Sequence, residues 1–101
     1  MYFITVIENI DYDADPLYAT KGDQRCMGYV ETFEKAEEIV TNNSYDIHEC
    51  SYDYAVIEKI GPGIHYPAFE RQFYKYNYEK GTYERIEEPP SVKQIINFSI
   101  G

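Results

Sequence analysis

Basic residues are scarce in this chain: 9 Lys and Arg stand against 18 Asp and Glu, a formal net charge of -9 at pH 7. Such a surface repels phosphate backbones and anionic lipid headgroups. Direct binding of nucleic acid or membrane is therefore disfavoured, and a basic protein is the partner that the charge would attract. Long apolar runs are missing too. No stretch approaches the ~20 residues that span a bilayer, and the opening MYFITVIENI has neither the basic start nor the small-residue cleavage site of a secretory signal. These absences lead to the expectation of a cytoplasmic protein.

Residues that build reactive sites are equally sparse. Cys26 and Cys50 are the only cysteines, and His48 and His65 the only histidines. The cysteines lie far apart, without the CxxC spacing or histidine arrangement typical of zinc; in the cytoplasm they are expected as reduced, partly buried thiols. Arg25, beside Cys26, is the one basic neighbour placed to lower a thiol pKa. No Ser, Cys or carboxylate is marked out by sequence as a partner for either histidine. Asp11, Asp13 and Asp15 alternate like the start of a calcium loop, but Pro16 and Gly22 occupy the sixth and twelfth positions, where glycine and glutamate are required. The glycine-rich turn at 61–63 precedes His65 and Tyr66, yet it carries no GxGxxG and no phosphate-binding lysine and serine. A non-enzymatic protein with no metal and no cofactor is expected.

What is present is material for a core. With 101 residues, 44% of them hydrophobic and including 12 Tyr and 5 Phe, the chain has the size of a single domain spanning residues 1–101. It can bury roughly two thirds of the surface that its unfolded form exposes. Tyr2 to Glu8 is β-branched and aromatic, and its near-continuous hydrophobicity predicts a central strand. Asn9 to Gln24 is rich in Asp, Pro and Gly and reads as a long loop. Cys26 to Glu31 is a second strand, and Thr32 then caps a helix over 33–41, whose Phe33, Ala36, Ile39 and Val40 form one apolar stripe. Asn42 and Asn43 end it.

Tyr52 to Ile60 alternates, with Tyr54, Val56, Glu58 and Ile60 on one face and Ala55, Ile57 and Lys59 on the other. Phe69 to Tyr78 and Thr82 to Glu87 then form a hairpin whose Gly81 supplies a positive φ. Ser91, with Gln94 three residues on, has the form of a capping box and predicts a short C-terminal helix through Ile95, Ile96 and Phe98. The order β-β-α-β-β-β-α implies an α+β fold: a mostly antiparallel sheet of about five strands with the main helix on one face.

The segments GYVETFEKAEEIV, YAVIEKIGPG and INFSIG give the chain a resemblance to a group of small proteins from Gram-positive bacteria and their phages. That resemblance covers most of the chain and implies a shape without a chemistry. Since phage genomes encode many small acidic proteins that block host defence enzymes, it also raises inhibition as a class of function.

The most distinctive feature is a tyrosine row. Period-two spacing puts Tyr74, Tyr76 and Tyr78 on one strand face with Gln72, and Phe69, Arg71, Phe73 and Lys75 on the other. If the phenylalanines enter the core, the tyrosines form an outer surface, or the reverse. The favoured reading is an interaction protein whose acidic, tyrosine-rich face engages and inhibits a basic partner, a phage-encoded inhibitor of a nucleic-acid-binding host enzyme being one setting. A small-ligand or nucleotide-sequestering domain is the alternative, with Arg25, Arg71, His65, Tyr66 and the 61–63 turn around a pocket at an oligomer interface. Edge strands leave a homo-oligomer open. An enzyme built on His48 or His65 is a third reading, with no nucleophile, metal set or cofactor loop to accompany it.

Overall fold

The computed structural model describes residues 1–10, 22–61, 68–92, 95, 98 and 99. Among the described residues, five strands and one α-helix follow one another as β1 (Tyr2–Ile7), β2 (Gln24–Val30), α1 (Phe33–Thr41), β3 (Tyr54–Ile60), β4 (Ala68–Asn77) and β5 (Thr82–Ile86). Together the strands form one sheet in the order β2-β1-β3-β4-β5, and every pairing is antiparallel. The α+β class read from the sequence is the class observed. β1 lies between β2 and β3, as its apolar run predicted, with Ile4 opposite both Gly28 and Ile57.

Local signals account for the elements. Thr32 accepts a hydrogen bond from the Lys35 amide at 3.2 Å and opens α1, and Asn43 enters the left-handed region at φ 48° just beyond its end. In the β4–β5 turn, Asn77 Oδ1 accepts from the amides of Glu79 and Lys80 while Gly81 takes φ 70°.

Both faces of the sheet are covered, which differs from the single covered face expected. On one side α1 and the segment after it pack Ala36, Val40 and Ile47 against Ile4, Val6, Ala55, Ile57, Tyr74 and Tyr83. Across the sheet, Val92 and Phe98 of the C-terminal segment pack against Ile7, Tyr54, Val56 and Phe73. The second layer explains why Ile4, Thr5, Val6 and Ile7 are all buried although they alternate in direction.

The C-terminal segment itself is a correction. Instead of a helix through Ile95, a single 3-10 turn covers Pro90–Val92, and neither Ile95 nor Phe98 is helical. Ser91 lies inside that turn with its hydroxyl buried and unpartnered, so it makes no capping bond. The amides of Phe98 and Ser99 go instead to the Glu58 carboxylate, at 2.9 and 3.1 Å. Gln94, Ile96, the Asp11–Asp15 stretch, and the residues of the 61–63 turn after Gly61, with His65 and Tyr66, lie outside the described residues. Cys26 and Cys50 are free thiols but exposed, not partly buried. Among the described residues no helix is long and apolar enough to cross a membrane.

Candidate partner-binding surface

The segment that links α1 to β3, residues 42–53, holds every non-glycine residue with positive φ among those described: Asn43 (48°), Tyr45 (60°), Asp46 (51°), Glu49 (47°) and Cys50 (63°). Each such residue costs of order 1–3 kcal/mol and persists only where its surroundings over-determine it. Here the surroundings are dense. The amides of Asp46, Glu49 and Ser51 donate to the carbonyls of Asn43, Asp46 and His48 at 3.0–3.1 Å, and the His48 amide donates to Asn43 Oδ1 at 3.0 Å.

His48 is the bolt of this segment. Its ring is buried and stacks on Tyr76 at 3.6 Å with 4° between the planes, edge-on to Tyr78 and Tyr83. Nε2 faces Tyr78 Oη at 3.3 Å and Asp53 Oδ1 at 3.4 Å, while the Tyr78 hydroxyl donates to the same Asp53 oxygen. With the phenol proton committed to Asp53, Nε2 is left to donate. The bond from its hydroxyl to Asp53 pushes the Tyr78 phenol up to about 12. Tyr83 donates to the Tyr52 carbonyl at 2.5 Å, and the Tyr76 amide to the Asp53 carbonyl at 2.7 Å. Burial is the main cause holding the Tyr83 phenol well above its ordinary value.

On this rigid base the segment presents Tyr45, 89% exposed, together with the exposed carboxylates of Asp46 and Glu49, and the β4–β5 turn adds Tyr78, 65% exposed. Glu49 is bonded by Arg25 at 3.0 Å.

The tyrosine row proves to be graded and not a face. Tyr74 is fully buried under α1 and donates to Glu37 Oε2 at 2.6 Å; Tyr76 is half-buried against His48; Tyr78 is exposed. As a partner-binding residue Tyr74 is therefore corrected to a core residue, because the helix lies over the tyrosine side of the strand near Tyr74 and stops short of Tyr78. Arg85 closes on Glu37 with two 2.6 Å contacts, and its hydrogen bond holds the Glu37 carboxyl below the usual range despite opposing desolvation.

Arg25 and Arg71, expected to share a pocket, stand on opposite faces. Arg25 pairs across from Val6 and reaches Glu49 on the α1 side. Arg71 sits opposite Glu58 under the C-terminal segment and contacts Glu58 at 3.3 Å and Glu88 at 3.2 Å. The two side chains are therefore not brought together within one chain. Among the described residues, no cluster of three or more His, Cys, Asp and Glu could hold a metal ion.

Sequence reasoning missed Tyr45, Asp53 and Glu58. Tyr45 carries no signal, since its exposure follows from a left-handed backbone. Glu58 did carry one: a charge within the Tyr54, Val56, Ile60 row announces a buried partner. Comparison with protein-family models, with curated proteins and with solved structures returns no match.

Proposed function

We propose that this protein is a non-enzymatic interaction protein that seats its acidic, tyrosine-bearing 42–53 segment and Tyr78 on a basic surface of another protein. One observation carries the reading: a backbone with five left-handed residues is held rigid so that Tyr45 stands 89% exposed beside carboxylates. A large aromatic displayed at this conformational cost is poorly explained by folding, since it covers little. Exposed, pre-ordered tyrosine is the type of residue on which interfaces concentrate binding energy. The net charge of -9 supplies long-range attraction to a positive groove, of the kind that otherwise holds nucleic acid. In the phage setting that the sequence likeness implies, the target would be a host defence enzyme and the effect inhibition.

The test is recovery of bound proteins from cells producing the native chain, beside a Tyr45→Ala/Asp46→Asn variant, followed by binding with the purified partner. A basic partner should be retained by the native chain and lost by the variant. Its affinity should fall as salt rises from ~0.01 M to ~1 M, over which the screening length shrinks from ~30 to ~3 Å. Salt-independent binding, or equal retention by the variant, refutes the proposal.

A further inference from the structure

Beside Tyr45 lies a cavity of about 200 Å³ between the β2 edge of the sheet, the last turn of α1 and the 42–53 segment. Ile4, Met27 and Val30 line it from the strands, Ile39 from the helix, and Tyr45 and Ile47 from the segment. The β2 bulge helps to open it. The register with β1 shifts so that Met27 is unpaired, and Gly28 takes φ +130°, where an added Cβ would meet nothing within 4 Å.

Size and lining narrow the occupant. Sites for metabolite-sized ligands run from ~300 Å³ upward, whereas a ~150 Å³ apolar cavity takes a benzene-sized group. A nucleotide is too large and too polar; one branched aliphatic side chain fits. Charge narrows it further. Three of the lining residues are each joined in the chain to an exposed carboxylate: Val30 to Glu31, Ile39 to Glu38 and Tyr45 to Asp46. Among the described residues, none of these three carboxylates has a basic partner. Glu37, Glu49, Glu58, Glu84 and Glu88, by contrast, each have one. The last turn of α1 also carries no basic residue to offset the negative end of its dipole.

We infer that this cavity is an anchor pocket for a single aliphatic side chain of a partner, flanked in the partner's sequence by lysine or arginine. The inference rests on the acidic-surface reading above and adds the side chain that the surface selects. Tyr45 belongs to both: it walls the pocket and leads into the carboxylate rim.

Capped pentapeptides titrated into the native chain and followed by methyl NMR make the test. Lysine–lysine–leucine–lysine–lysine should move the methyl signals of Ile4, Met27, Val30, Ile39 and Ile47. Central alanine should weaken binding by roughly 60-fold, from three fewer buried carbons. Replacing the lysines by glutamines should weaken it several-fold, and Glu31→Gln/Glu38→Gln/Asp46→Asn should weaken the lysine peptide alone. Equal binding of the leucine and alanine lysine peptides overturns the pocket and leaves the acidic-surface reading standing. Equal binding of lysine- and glutamine-flanked leucine peptides supports the pocket and overturns the cationic flank. Shifts confined to other methyls, or none at all, overturn the inference.

Discussion

The two faces of the sheet are covered by different kinds of chain, and they solve the same problem in different ways. A helix satisfies its own backbone, so α1 can lie on the sheet through side chains alone, with Ala36 and Val40 on an apolar floor and polar contacts from Tyr74 and Arg85 to Glu37 at the margin. An irregular segment arrives with unpaired amides. The opposite face must therefore supply an acceptor, and it does so with Glu58, a fully buried carboxylate bonded by the Phe98 and Ser99 amides and the Ser99 hydroxyl, with Arg71 beside it. A buried charge is the consequence of covering a sheet with non-repetitive backbone.

Removing that acceptor should have the largest effect on stability. Glu58→Ala leaves the Phe98 and Ser99 amides without their acceptor and takes one of two carboxylates from Arg71, which keeps Glu88, and each buried group so stranded costs ~1–3 kcal/mol. Urea unfolding measures it, and a loss below ~1 kcal/mol would mean that the C-terminal segment contributes little. On the helix face Tyr74→Phe removes a bond to a carboxylate that Arg85 still pairs, so a smaller loss of ~1–2 kcal/mol is expected.

Acid separates the faces by sign. Arg85 chiefly, with Tyr74, lowers the Glu37 carboxyl below its ordinary value of 4.5, so its stabilisation is present above that value and lost as pH falls through the lowered one. Burial raises Glu58 above 4.5 despite the opposing amides. Its folded form therefore holds the proton more tightly, and its contribution to stability declines as pH rises from 4.5 through the raised value. Unfolding midpoints across acidic pH should show Glu37→Gln flattening the acid loss and Glu58→Gln removing a component of opposite slope. Parallel profiles for the two variants would show that the faces do not differ electrostatically.

The sheet was readable from sequence because strands and the helix obey short periods. YFITVI, the Tyr54–Ile60 alternation, the Thr32 cap and Gly81 each act on their own neighbours. The candidate surface was not, because it depends on contacts at longer range. His48 meets Tyr76 and Tyr78 only once the β4–β5 hairpin has docked beside residues 42–53, and beyond the helix stop at Asn43 nothing local in NNSYDIHEC announces the other four left-handed residues. The C-terminal segment failed for a related reason: the helix signal at Ser91 lost to Glu58, which takes the amide of Phe98 forty residues further along the chain.

The smallest expected effect on folding is the one that divides folding from function. Tyr45 sits at φ 60° with its ring in solvent, so Tyr45→Gly relieves left-handed strain while losing few contacts. Glycine also loses more chain entropy on folding, which offsets part of the gain. Unfolding free energy should stay level or rise by up to about 1 kcal/mol. Binding of the basic partner, and of the lysine-flanked leucine peptide, should nonetheless fall, because the wall of the pocket and the exposed aromatic are gone. A loss of stability above ~1 kcal/mol would instead place Tyr45 among the residues that hold the segment together, and its exposure would no longer argue for a partner.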